Sequence, residues 1–231
     1  MRRLGEAGGG GPAATALTRR TFLGAAGLGL FGASFPGATT GHAQPTAAAG
    51  IPISEEARRL LAALPGKAVM GARVPPLVTE LVDFNAPGWR RSADDMRTLL
   101  AGDPGLAYAV VQAPRLDVGS VEAARVALAV LALDPPRFQA FYEALARGEG
   151  PIDGVRALNV VRAEGIDHYK VFRASNQPDV TDSLSRAVEL VSALRVIDPP
   201  AYVIGGQVWT GEVDLARKRA LIAAARACGG C

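Results

Sequence analysis

Cysteine is almost missing from this chain: two in 231 residues, Cys228 and Cys231. No internal disulfide can therefore staple the core, which has to hold by packing alone. Histidine is as scarce, with His42 and His168 only. Two sulfurs without a nearby imidazole make half of a tetrahedral zinc site, so no metal is expected. His168, alone on a helical stretch, reads as a surface residue. The sequence also has no long basic run; the densest, Arg217-Lys218-Arg219, reads as a solvated helix face. Binding to nucleic acid thus has no electrostatic support. Nor is there an apolar stretch of the roughly 20 residues that a membrane span needs.

The longest apolar run, Phe22 to about Ser34, is short and rich in glycine. It follows Thr18-Arg19-Arg20-Thr21-Phe22-Leu23, a twin-arginine pattern, and precedes a small-residue cleavage site at Gly41-His42-Ala43. Residues 1–43 therefore read as a twin-arginine signal peptide, with an uncut membrane anchor as the alternative. That route delivers folded proteins, so a periplasmic, soluble product without stable membrane insertion is expected. Gly27-Leu28-Gly29-Leu30-Phe31-Gly32 matches a dinucleotide fingerprint literally, but no strand precedes it and no acidic residue follows at the needed distance. No cofactor is expected. Residues 1–43 carry four arginines against Glu6. What remains has 21 basic and 21 acidic residues, a net charge of zero, so the alkaline pI belongs to the precursor.

Residues 44–66 read as an alanine-rich lead followed by a short amphipathic helix, Ser54 to Leu64, capped by Ser54 and ended by Pro65-Gly66. Lys67 to Met70 reads as an edge strand. Leu77 to Phe84 is the strongest strand, and Glu80 lies on its face with Val78, Val82 and Phe84. An edge-strand Glu80 reaching water and a buried Glu80 with a raised pKa are both open at this point. Pro87 suits the first turn of a helix running to about Leu100, with Asn85 as its cap. A second strand spans Leu106 to Val111. Five helical segments then follow between residues 117 and 196, and their apolar stripes read as helix–helix core. Ala201 to Ile204 and Gln207 to Trp209 form a hairpin about Gly205-Gly206, and a last helix runs from Val213 to Ala227.

Strand, helix, strand, helices, hairpin, helix is the order of an α/β thioredoxin fold with an inserted helical subdomain. The segment V-T-E-L-V-D-F-N-A-P-G-W-R-R, Val78 to Arg91, resembles the active-site segment of DsbA-like proteins, roughly V-E-F-F-D-Y-N-C-P-Y-C-R-R. Ser120 opens S-V-E-A-A-R-V-A-L-A, and Pro200 opens P-A-Y-V-I-G-G, similar to the family's T-P-x-F-V-I-G loop. The resemblance covers residues 67 to 227, within a domain taken as 67–231 with its helical insertion at about 117–196. It implies a buried acid at Glu80 and a cis-proline at Pro200 beside an edge open to extended peptide or unfolded protein. Both of the family's cysteine positions are changed, to Ala86 and Trp89, with Pro87 and Gly88 between them, and Pro199 replaces the threonine before the cis-proline.

Thiol chemistry at that junction is therefore not expected. What it leaves is a binding groove formed by Pro87, Trp89 and the Pro200 loop, or a junction that only packs. Cys228-Gly229-Gly230-Cys231 has redox-dithiol spacing but follows a helix, so a tail disulfide or an intermolecular link is expected before a catalytic pair. Asp94 and Asp95 diverge around their helix, and Ser92 has no histidine to act as its base. The reading is of an exported, redox-inactive binding or folding-assistance protein. Its rivals are a thiol–disulfide oxidoreductase using Cys228 and Cys231, and a structural partner co-exported with another folded protein.

Overall fold

The computed structural model describes residues 50–230; the signal peptide expected at 1–43 lies outside them. A six-stranded sheet in the order β1-β6-β5-β3-β4-β2 forms the middle layer. Its strands are β1 (Ile51–Pro52), β2 (Ala68–Gly71), β3 (Val78–Val82), β4 (Ala107–Gln112), β5 (Ala201–Ile204) and β6 (Gln207–Thr210). Only β3 and β4 run parallel, joined through helix α2 (Trp89–Gly102). β5 returns antiparallel on the other side of β3, pairing Leu81 with Ala201 and Val78 with Ile204.

All five residues of β3 are buried because both sheet faces are covered. On one face Val78, Val82, Tyr108, Val110 and Tyr202 pack against α2, α8 (Leu215–Ala227) and the helical insertion. On the other, Leu81, Val111, Ala201 and Val203 meet α1 (Glu55–Ala63) and α7 (Pro178–Ala193). Ala57 and Leu64, from the short helix expected between Ser54 and Leu64, enter this second core, and β1 adds to the sheet edge through Val208. Nothing in the periodicity of two residues could announce β1.

The insertion comprises α3 (Val118–Leu133), α4 (Phe138–Arg147), α5 (Gly154–Ala163), α6 (His168–Ser175) and α7. Helix α3 is apolar on most of its circumference because it is packed on two sides, with Val126 and Val130 in the main core and Ala124 and Leu128 against Val180 and Leu184 of α7. Its start is set by Asp117, whose carboxylate accepts the Ser120 amide at 2.7 Å. No helix among the described residues is long and apolar enough to cross a membrane.

Candidate functional site

Parallel pairing brings the C-terminal ends of β3 and β4 to one edge, and antiparallel pairing brings the start of β5 to the same place. Just past β3, Asp83 is fully buried and fully paired. One oxygen accepts the Asn85 amide at 2.8 Å and the Ser120 hydroxyl at 2.6 Å; the other accepts the amides of Arg115 and Leu116 at 2.7 and 2.9 Å. Asn85 then reaches across to the insertion. Its Oδ1 accepts the Ile152 amide at 2.7 Å, and its Nδ2 donates to the Ile152 carbonyl at 2.9 Å and to Ser120 Oγ at 3.1 Å. Asn85 is therefore not the cap of α2 but the tie between strand and insertion.

Helix α2 also starts later than the sequence suggests. Ala86-Pro87-Gly88 is a turn, and the helix begins at Trp89 with Gly88 as a left-handed N-cap at φ +83°. Pro87 therefore lies outside the helix, exposed on the turn. Gly88 is required twice over: the positive φ favours glycine, and a Cβ there would collide with the Glu212 side chain. Glu212 is held over the turn by an ion pair to Arg91 at 2.6 Å.

Trp89 corrects the expected groove. Its indole is 0% exposed, packed edge-on against Phe84 at 5.1 Å and Tyr142 at 5.7 Å between ring centroids. A ring fills the space above the sheet, so Trp89 cannot face a ligand. Its N–H finds no acceptor in the protein. Arg90 seals the outer side, donating to the Gly148 and Gly150 carbonyls at 2.8 and 2.6 Å with its guanidinium over the indole. Ala86, Pro199 and Pro200 are buried as well, and the Pro199-Pro200 bond is cis. Neither proline carries an amide hydrogen, so this edge offers carbonyls but no donor at two successive residues.

Beneath the indole lies a polar network in the apolar core. Glu80 is buried, and Tyr108 donates to its Oε2 at 2.9 Å. Burial pushes the Glu80 carboxyl above its ordinary range, against the opposing pull of the Lys218 charge and of the Ser92 and Tyr108 hydroxyls. Ser92 accepts from Tyr202 at 2.8 Å and from Lys218 Nζ at 3.0 Å, and Lys218 also pairs with Asp95 at 2.9 Å. The side chain of Lys218 is only 1% exposed, which overturns the solvated-face reading of Arg217-Lys218-Arg219. The signal was present in the sequence: Lys218, Ile222 and Ala225 are the buried residues of α8 and share one helical face. Asp94 points the other way, towards Arg97. Ser92 and Lys218 form a hydrogen-bonded pair, yet both are closed off from solvent, so no substrate reaches the hydroxyl.

The remaining candidates lie apart. The His168 ring lies 4.2 Å from that of Tyr169 on α6, tilted against it. Cys228 is exposed just after α8 and is disulfide-bonded; Cys231, the only other cysteine, lies outside the described residues. No group of three or more His, Cys, Asp or Glu among the described residues is placed to hold a metal.

A parallel β3–α2–β4 unit, an antiparallel hairpin entered through a cis-proline and an inserted helical subdomain define a thioredoxin fold with a helical insertion. The model for the DSBA-like thioredoxin domain matches residues 90–223, more than half of the sequence, and the chain belongs to that family. The matched span begins one residue after Trp89, so the altered junction falls outside it. Among solved structures, a thioredoxin-like oxidoreductase from Silicibacter pomeroyi DSS-3 is 27% identical, with a TM-score of 0.67 over 74% of this chain and 98% of its own. The thiol-disulfide exchange protein alpha-DsbA2 from Wolbachia pipientis is 23% identical, with a TM-score of 0.66 over 72% and 90%. The catalytic domain of Proteus mirabilis ScsC is 20% identical, with a TM-score of 0.66 over 74% and 94%; these two show the shared fold. No curated protein matches the chain in sequence.

Proposed function

We propose that this chain is an exported member of its family that binds extended apolar segments of other proteins without exchanging disulfides at the family's junction. One observation carries the binding half: large apolar side chains stand in water around the edge where the junction lies. Leu116 is 48% exposed, Val118 74% and Ile197 75%. Leu116 hangs from the Asp83 carboxylate, Val118 opens α3 next to Asp117, and Ile197 stands shortly before the cis-proline. Large apolar residues exposed near a site-bearing edge are a common mark of a docking surface. The missing amides at Pro199 and Pro200 mean that affinity comes from apolar contact more than from strand-like pairing.

The non-redox half follows from the residues themselves, since Ala86 has no ionisable group and Trp89 is a buried indole. Export to the periplasm rests on the twin-arginine pattern at Thr18 to Leu23. The test is binding of a reduced, alkylated, permanently unfolded protein, followed by fluorescence anisotropy. Asp substitutions at Leu116, Val118 and Ile197 together are expected to weaken binding at least tenfold, from loss of apolar burial at three sites. Unchanged affinity in a folded triple variant would defeat the reading.

A further inference from the structure

Helix α6 carries two aromatic rings that the core does not use. Its inner side is accounted for: Val171 and Ser175 are buried, and Val171 joins the main core where α6 packs on α3 and α5. Tyr169 and Phe172 are 72% and 54% exposed. Three residues apart on a helix, they stand next to one another on its outer face, and Arg173, four beyond Tyr169, shares that face. Lys170 lies beside them with its side chain 75% exposed. Both ends of the helix are fixed: Asp167 accepts the Lys170 amide at 3.1 Å, and Asn176 donates to the Phe172 carbonyl at 2.8 Å. The surroundings are basic. Arg137 and Arg147 reach the turn between α5 and α6 from the neighbouring elements, donating to the Gly165 carbonyl and pairing with Glu164. With Arg162, Lys170 and Arg173 they stand against Asp134, Glu164 and Asp167, a local positive excess in a protein whose residues 44–231 are neutral overall. The three carboxylates are already engaged, Asp134 by Arg137 at 3.5 Å, Glu164 by Arg147 at 3.7 Å and Asp167 by Lys170 at 3.3 Å. Arg162 reaches the Asn159 amide oxygen at 3.1 Å instead of a carboxylate, and no ion pair among the described residues engages Arg173.

We propose that this face of α6 rests on an anionic lipid surface, with the Tyr169 and Phe172 rings entering the headgroup layer and Lys170 and Arg173 meeting the phosphates. Two arguments choose a lipid surface over a protein. Aromatic rings flanked by Lys and Arg on the outer face of a helix are the pattern of interfacial anchoring. The rings take the boundary between headgroups and acyl chains, and the long cationic side chains bury their stems while their charged ends stay with the headgroups. The face is also convex, as the outside of a helix is. It presents both rings at once to a flat layer of headgroups, whereas a protein partner would have to supply a groove to bury them. The contact is peripheral and reversible, because two rings and a few cations do not insert a segment, and no helix among the described residues is long and apolar enough to cross a membrane. The face is built from other residues than the apolar edge at Leu116, Val118 and Ile197, and it stands whether or not that edge binds protein.

The chain beginning at Gln44 is the form to test, since it is a compact unit with the whole sheet and its cores and leaves out the apolar run at Phe22. Its co-sedimentation with vesicles of phosphatidylglycerol and phosphatidylethanolamine is compared with that on vesicles of phosphatidylcholine alone. Binding is expected on the anionic vesicles, weaker by about tenfold or more on the neutral ones, and falling as salt rises. Tyr169→Ser with Phe172→Ser, and separately Lys170→Gln with Arg173→Gln, are each expected to weaken it by about tenfold. All of these side chains are exposed, and circular dichroism checks that each variant is folded. Leu116→Ser, Val118→Ser and Ile197→Ser together are expected to leave vesicle binding unchanged. Loss of binding in that variant would move the lipid contact to the apolar edge and overturn the proposal. Full binding by the aromatic variant would reduce the effect to bulk charge attraction and overturn it equally. No binding to anionic vesicles would overturn it as well, and would leave the face to an acidic protein surface.

Discussion

Lys218 Nζ lies 2.9 Å from Asp95 Oδ2 in a place where the lysine side chain is 1% exposed and the aspartate 13%. This is an ion pair nearly removed from water, in a core that also holds the Glu80 carboxylate. Its worth differs from that of a surface pair. Burying both charges costs several kcal/mol, and removing one leaves the other uncompensated.

Lys218→Met is therefore expected to destabilise the fold by about 3–5 kcal/mol, as for one partner of a buried pair. Asp95→Asn should cost less, because Glu80 remains as a counter-charge and loses the repulsion that Asp95 now exerts on it. Urea melts of the two variants and of the double variant test this. Equal losses would show that Glu80 does not serve as the second partner, and a double variant that loses the sum of both would show that Lys218 and Asp95 are not coupled.

Glu80 sets a pH dependence with a definite sign. Its folded pKa is raised above the ordinary 4.5 chiefly by burial. Between the two values the folded state binds more protons than the unfolded one, so stability falls as pH rises. The contribution is fully present below the ordinary value and is lost as pH passes the raised one. Stability of Glu80→Gln, measured relative to the natural chain from acid to neutral pH, is expected to rise with pH across that window and then level off. About 1.4 kcal/mol accompanies each pH unit of the window. A difference that is flat in pH would mean that Glu80 titrates normally.

Trp89 separates a lost ring from a lost hydrogen bond. Trp89→Ala removes the ring between Phe84 and Tyr142 and is expected to cost about 3–5 kcal/mol. Trp89→Phe keeps most of the contact and deletes an N–H that has no acceptor, so a loss of no more than about 1.5 kcal/mol is expected. Returning a cysteine to position 89 would empty the same space. An Ala86→Cys, Trp89→Cys chain should therefore show a melting temperature well below that of the natural protein, whatever exchange activity it gains. A revertant as stable as the parent would contradict the packing described for this ring.

The elements were legible because their signals are local: Ser54 and Asp117 cap helices, Gly205-Gly206 turns a hairpin, and Leu77 to Phe84 is apolar enough for a central strand. What sequence concealed was non-local. Asp83 looks like an ordinary polar residue at a strand end until the Arg115 and Leu116 amides, thirty-odd residues away, arrive on it. Asn85 suits a helix cap by propensity, yet the Ile152 backbone outcompetes the helix for its side chain. Lys218 was read by composition, with its basic neighbours, when its helical phase with Ile222 was the better guide. Trp89 sits at a position that the family resemblance placed at a site, and only packing shows that the site has been filled.

Gly88 offers the sharpest test of how the junction is now closed. Its left-handed backbone and the Glu212 side chain above it are separate constraints, and they can be pulled apart. Gly88→Ala is expected to cost about 1–2 kcal/mol from backbone conformation alone, with more added because its Cβ displaces Glu212. Glu212→Ala by itself should change stability by less than about 1 kcal/mol, since the Arg91–Glu212 pair is largely solvent-exposed. Placed in the Glu212→Ala background, Gly88→Ala should then retain only its backbone cost. Thermal unfolding of the three variants gives the coupling directly. Strict additivity would mean that Glu212 does not press on the turn, and a neutral Gly88→Ala would mean that the helix can begin at Pro87 after all, as the sequence first suggests.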